Sequence, residues 1–159
     1  MHYLVTGGSG LIGQALCGRL SAAGHTVTVL TRDAVAARRV LLPRIHLVER
    51  LDAVGGIDAI VNLAGANLAD ARWTPRRKAL LVASRIDTTR HLLAWIARQA
   101  SKPAVLVSGS AIGWYGSTDD RVLDEEAGAG DDFAACLCRD WETEAEKATQ
   151  LGVRVCRPG

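Results

Sequence analysis

The stretch YLVTGGSGLIGQAL, residues 3–16, limits what this chain can fold into more than any other. A short β-rich run, His2–Thr6, leads into a glycine-rich turn, and a helical pattern from Leu11 to Ala23 follows, ended by Gly24. Gly8, Gly10 and Gly13 satisfy G-x-G-x-x-G, while Gly7, Gly10 and Gly13 satisfy G-x-x-G-x-x-G. Such a turn needs backbone angles closed to other residues, an unobstructed approach for a diphosphate, and close packing of helix on strand. The helix start adds free N–H groups and about half a positive charge. A bare glycine triplet also serves purely structural turns. Between a strand and a helix, it instead places Gly7, Gly8, Ser9, Gly10, Leu11, Ile12 and Gly13 around the diphosphate of a dinucleotide.

The remainder of the chain keeps the same alternation. Thr26–Leu30 (TVTVL) reads as a second strand, 33–42 as a weak helical stretch, Ile45–Val48 as a third strand and Asp58–Leu63 as a fourth. A long helix opens at Thr74, a plausible N-cap, with Pro75 at the first helical position; Ala79, Val82, Ile86, Leu93 and Ile96 carry a helical period to about Gln99. Ala104–Ser108 is a fifth strand, 131–150 a helix with acids in its first turn, and Val153–Cys156 a sixth strand. The pattern predicts one α/β domain: a doubly wound, mostly parallel six-stranded Rossmann sheet of order 3-2-1-4-5-6. The longest irregular stretch, 112–130, follows the fifth strand at the edge where open α/β sheets hold ligands.

Composition narrows the function classes. With 159 residues, 48% hydrophobic, the chain suits a single domain, and a formal net charge of +2 gives no general attraction to nucleic acid or membrane. Charge is uneven: residues 1–110 carry 14 Lys/Arg against 6 Asp/Glu, and residues 111–159 carry 5 against 11. A phosphate-facing basic half and plain arginine-rich helix faces both explain that count. Cys17, Cys136, Cys138 and Cys156 form no C-x-x-C pair, so we expect free thiols, no metal site and a reducing compartment. No apolar run approaches the roughly 20 residues that span a bilayer, and the first strand starts at once, which leads us to expect a cytoplasmic protein without a signal peptide.

Coenzyme choice is read at the end of the second strand, where a carboxylate would bond the ribose hydroxyls of NAD and repel a 2′-phosphate. Here the stretch is VLTRDA, giving Thr31 and Arg32; a guanidinium there favours NADP(H) over NAD(H) through paired charge-assisted bonds. A shift of one residue would bring Asp33 into play, and a solvated Arg32 is the other reading.

TGGSGLIG, VNLAG at 61–65 and SGSA at 108–111 together resemble the short-chain dehydrogenase/reductase superfamily, in its extended, epimerase-like branch. NLAGANLADARW, SRIDTTR, SGSAIGWYG and DDFAACLCRDWE are similar, more narrowly, to a group of NAD(P)-dependent epimerase-family proteins. The resemblance implies a Rossmann domain binding NADP(H), a small-molecule substrate, and a substrate lobe built by a C-terminal portion. It implies that Asn62, Leu63, Ala64 and Gly65 pass the coenzyme ribose, that Ser108 belongs to the coenzyme site, and that Ser110 bonds the reacting oxygen. Arg85 falls about where many relatives place an asparagine holding a bridging water, and it joins the coenzyme-site residues.

The superfamily's acid/base unit, Tyr-x-x-x-Lys, is missing. Four residues after Tyr3 is Gly7, and four after Tyr115 is Asp119; anchored on Glu142, the two positions fall near Ala134 and Cys138. Tyr115 is the remaining candidate catalyst. An unassisted phenol titrates near pH 10, so ionising it at pH 7 costs about 4 kcal/mol, which a cationic nicotinamide or the cluster Arg72, Arg76, Arg77, Lys78 and Arg85 would have to offset. That cluster equally suits an anionic substrate or hydration, and Tyr115 with Trp114 equally suits an aromatic cap. His25, His46 and His91 lack companions, Cys138 reads as a buried structural thiol and Trp141 as core, while Asp124, Glu125, Glu126, Asp131 and Asp132 read as a solvated loop and helix entry. Two functions therefore stay open: the NADP(H)-binding part of an oxidoreductase or epimerase, with Ser110 and Tyr115 at the reacting group, and a non-catalytic NADP(H) sensor or scaffold. The sequence stops at RPG after the sixth strand without the substrate lobe, so we expect a fragment, or completion by a partner chain. The sixth strand, with Pro158 near its end, is then an open edge and a route to a homo-oligomer.

Overall fold

The computed structural model describes residues 1–117, 120, 122–124 and 126–157; Asp119, Glu125 and Pro158, which enter the readings above, lie outside them. Six strands, β1 (His2–Thr6), β2 (Thr26–Leu30), β3 (His46–Val48), β4 (Ala59–Asn62), β5 (Val105–Ser108) and β6 (Arg154–Cys156), pair in the order β3-β2-β1-β4-β5-β6. Every pairing is parallel. Thr6 lies opposite Leu30 on one side and Asn62 on the other, and Asn62 lies opposite Ser108. The carboxyl ends of four strands thus finish level, and the order reverses between β1 and β4, where a crevice opens.

Alternation along each strand sends neighbouring side chains to opposite faces, and both faces are buried. Leu4, Ile60 and Leu106 pack on one side with Leu92 and Ile96 of α3 (Pro75–Ala97) and Ala145 of α4 (Phe133–Glu146). Val5, Val29 and Val61 pack on the other with Cys17 of α1 (Leu11–Ala22) and Ala37 of α2 (Ala34–Arg38). Among the described residues no helix is long and apolar enough to cross a membrane.

The cap chemistry expected for the long helix is present: the Thr74 hydroxyl accepts from the Arg77 N–H at 3.2 Å, and Pro75 follows at the first helical position. Its buried face matches the expected one in the second half and departs from it in the first: Ile86, Leu93 and Ile96 are buried, Ala79 and Val82 are exposed, and Leu81, Thr89 and Leu92 are buried as well. The run ALLVA offers apolar groups on several sides, so the period alone does not select a face; packing on the sheet does. The weak helical stretch shortens to α2, capped by Asp33. The last helix ends at Glu146, and its expected continuation tightens into a 3-10 turn, Lys147–Leu151, before Gly152.

Burial pushes the Cys17 thiol up to about 11. An unfolded thiol titrates near pH 8.5, so the folded state holds this proton more tightly, and the associated stability is full below about pH 8.5 and lost as pH rises towards 11. Urea unfolding of wild type should show midpoints falling across that window. Cys17→Ala should be less stable at pH 7 but flatter with pH; an equally steep fall would contradict the assignment.

Candidate functional site

The turn between β1 and α1 is built by two close approaches. Gly7 has φ +67°, and a Cβ there would lie 2.5 Å from the Leu63 carbonyl oxygen, so the turn sits directly on the end of β4. A Cβ on Gly13 would lie 2.3 Å from the Gly7 carbonyl oxygen, so the first turn of α1 sits directly on the loop. Gly10, the N-cap of α1, brings no capping side chain, and no acid stands in the first turn. The helix N–H groups are left for a ligand. The Gln14 amide donates to the Ser9 carbonyl at 2.7 Å and fixes the loop from behind. These features fit a diphosphate in charge, donor supply and clearance.

Two cavities meet at Gly7 and Gly10. The larger, about 670 Å³, is lined by Ser9, Thr31, Arg32, Leu63, Ala64 and Gly65 among others. Each of its acids has one oxygen engaged: Asp33 Oδ1 accepts from the Ala36 N–H at 2.8 Å, and Glu49 Oε1 from the Ala34 N–H at 3.0 Å. Arg32 makes no hydrogen bond or ion pair among the described residues. Asp33, the alternative at the strand end, caps α2 through one oxygen and also lines this cavity.

The smaller cavity, about 450 Å³, takes Leu11, Ile12 and Gly13 from the loop, Arg85 from α3, Ser110 after β5, and Ala134, Cys138 and Trp141 from α4. The Ser110 hydroxyl donates to Glu142 Oε1, and Glu142 Oε2 lies 3.4 Å from Arg157 Nη1. Burial first, and then the Glu142 charge, push the Cys138 thiol up. The two positions assigned to the absent Tyr and Lys, Ala134 and Cys138, thus do face this space with side chains unable to transfer a proton readily at neutral pH.

Other expected residues are not brought to either cavity. Gly8 lines neither, and a Cβ there would meet Val29 Cγ2 at 2.6 Å, so its glycine is used in packing. Asn62 and Ser108 are fully buried. Asn62 accepts from Thr6 Oγ1 at 2.7 Å and donates to Thr89 Oγ1 at 2.9 Å, while the Ser108 hydroxyl finds no partner among the described residues. Tyr115 is half-buried in a 3-10 turn, Ile112–Tyr115, packed on Gly130, and lines neither cavity. The basic cluster disperses: Arg77 pairs with Asp70 at 3.7 Å, Lys78 covers the Phe133 ring at 4.7 Å, and Arg72 and Arg76 are exposed.

Sequence reasoning missed Glu142 as a partner of Ser110, and Glu49 at the larger cavity. It also read Trp141 as core alone, whereas this ring lines the cavity and donates its N–H to Thr89 Oγ1 at 3.2 Å. An acid one turn after Cys138 was a usable signal for Glu142, because it shares that helix face.

The model of the NAD dependent epimerase/dehydratase family matches residues 3–154. The chain belongs to the NAD dependent epimerase/dehydratase family. It is an NAD(P)-binding domain of that family, with the narrower similarity lying among epimerase family proteins. One from Mycobacterium tuberculosis is 44% identical over 152 residues, 95% of this chain and 50% of the relative. A chloroplastic relative from Arabidopsis thaliana, an SDR39U1 homolog, is 37% identical over 94% of this chain and 46% of its own length. The crystal structure of the human epimerase family protein SDR39U1 with NADPH superposes with a TM-score of 0.77 at 31% identity, covering 100% of this chain and 50% of that one. A UDP-galactose 4-epimerase structure, TM-score 0.84 at 22% identity, shows the shared fold. The chain spans about half the length of the curated relatives it matches.

Replacing Gly7 by Ala should displace the turn from β4 and weaken NADPH binding at least tenfold by calorimetry, because the residue combines positive φ with a 2.5 Å approach to backbone. Undiminished affinity would remove the turn from the binding site.

Proposed function

We propose that this domain binds NADP(H) and forms the coenzyme half of an oxidoreductase or epimerase acting on a small molecule. The observation that carries the coenzyme choice is Arg32: alone among the charged side chains of the larger cavity, it is free of hydrogen bonds and ion pairs to the described residues. Its fork suits a 2′-phosphate. That the human relative was crystallised with NADPH supports the same choice. In this reading the α1 N-terminus holds the diphosphate, Thr31 and Arg32 hold the adenosine end, Leu63, Ala64 and Gly65 flank the ribose, and the nicotinamide end reaches the smaller cavity. When bound, the coenzyme supplies hydride transfer.

Ser110 is the polar residue placed to meet a reacting oxygen. Because its proton is directed to Glu142, its lone pairs are left to accept a hydrogen bond from a substrate hydroxyl. Glu142 is a positioning residue in this arrangement. The second reading, a non-catalytic NADP(H) sensor, is favoured by one observation: Ala134 and Cys138 stand on the cavity wall where relatives of the superfamily place a proton-transfer pair.

Calorimetry tests the coenzyme assignment. Arg32→Ala should weaken NADPH binding about tenfold to a hundredfold, as expected for loss of a charged hydrogen-bonding partner, while NADH binding changes less than twofold. Unchanged NADPH affinity would refute the contact. Incubating the full-length protein with NADPH and a panel of carbonyls and nucleotide sugars separates the two functions. Turnover that falls at least a hundredfold in Ser110→Ala, with NADPH affinity retained, supports the enzyme; coenzyme binding with no turnover supports the sensor.

A further inference from the structure

The smaller cavity contains one formal charge among its described lining residues, the guanidinium of Arg85. Its other walls are loop backbone, apolar side chains, the Ser110 hydroxyl, the Cys138 thiol and the Trp141 indole. Arg85 is half-buried, and burial lowers its affinity for its proton. A cation removed from water is normally matched by a carboxylate, because an unmatched one is costly. Among the described residues Arg85 has no such partner. Its two hydrogen bonds go to carbonyl oxygens, Ala66 at 3.1 Å and Leu81 at 3.3 Å, and both leave from Nη1.

That geometry leaves the opposite edge uncommitted. Nε and Nη2, the fork that takes an anion through two parallel bonds, carry no hydrogen bond to the described residues. Gly65 lets the guanidinium approach its backbone: a Cβ there would lie 2.8 Å from Arg85 Cζ and 2.9 Å from Nη2. The Trp141 ring, 5.4 Å from Cζ, holds the guanidinium in place. Two carbonyls and an indole thus fix the group, and its Nε and Nη2 stay free of hydrogen bonds to the described residues.

We propose that Arg85 is the recognition site for an anionic group, carboxylate or phosphate, of the small molecule that shares the smaller cavity with the nicotinamide end of the coenzyme. This deepens the function proposed above and rests on it. The anion supplies the charge that the cavity wall lacks, and the apolar walls receive the rest of the molecule. The substrate is accordingly a small acid or phosphate ester with a hydroxyl or carbonyl within reach of Ser110.

The test uses the full-length protein and two titrations. In the first, NADPH is titrated into wild type, Arg85→Gln and Arg85→Lys; affinities should agree within threefold. In the second, each protein saturated with NADP⁺ is titrated with acetate, with inorganic phosphate and with acetamide as the neutral counterpart. Wild type should bind at least one anion saturably and acetamide not at all; which anion binds distinguishes carboxylate from phosphate. Arg85→Gln should lose at least tenfold in anion affinity, and Arg85→Lys, which keeps the charge but not the fork, should fall between. Thermal melting of both variants guards against misfolding, and Arg85→Lys carries the comparison if Arg85→Gln does not fold. A tenfold loss of NADPH affinity in folded Arg85 variants would assign the guanidinium to the coenzyme and overturn the proposal. So would the absence of saturable anion binding to wild type, as when a carboxylate from the rest of the full-length protein neutralises Arg85. Wild type that fails to bind NADPH overturns the parent reading; wild type that binds NADPH but neither anion overturns this one alone.

Discussion

Everything at the carboxyl edge depends on how closely α1 and its turn can approach the sheet. Two contacts set that distance: the Gly7 backbone against the Leu63 carbonyl, and Gly13 against the Gly7 carbonyl. Neither leaves room for a Cβ. With them in place the open N-terminus of α1 points into the crevice where the strand order reverses, and both cavities share the same loop backbone at Gly7 and Gly10. Any larger side chain would separate helix from strand and move the N–H groups off the diphosphate position.

Buried polar bonds then lock the sheet to the helices beneath the site. Thr6 donates to Asn62, and Asn62 and Trp141 both donate to Thr89, which itself donates to the Arg85 carbonyl. The chain of bonds joins β1, β4, α3 and α4 at the level of the strand ends. Such satisfied networks favour one arrangement because any shift strands a buried donor. Asn62 therefore has a structural use that a ligand-contact reading of VNLAG does not supply.

Charge is divided between the two cavities in a simple way. In the larger one, Asp33 and Glu49 each give one oxygen to an amide of α2, while Arg32 makes no hydrogen bond or ion pair to the described residues. In the smaller one, Arg85 is the charged lining residue among those described, and Glu142, outside the lining, pairs with Ser110 and Arg157. Each cavity thus presents, to what enters it, a guanidinium that has no ion-pair partner among the described residues. Ala134 and Cys138 line the smaller cavity beside Ser110, whose hydroxyl is held by Glu142.

The amino-acid sequence by itself determined the element order, the parallel sheet and the dinucleotide turn, because glycine spacing, apolar period and cap residues such as Thr74 and Pro75 act locally. It also determined that Arg32 follows the second strand. Tertiary structure alone decided the long-range partners: Glu49 reaches the Ala34 amide only when β2 and β3 pair, and Ser110 and Glu142, 32 residues apart, meet only when α4 packs beside β5. The same holds for Tyr115, which the sequence offered as a catalyst and which lines neither cavity, and for Val82, whose face is chosen by the sheet. Side-chain partnership is set by three-dimensional distance, and neither residue type nor spacing along the chain encodes that distance between separate elements.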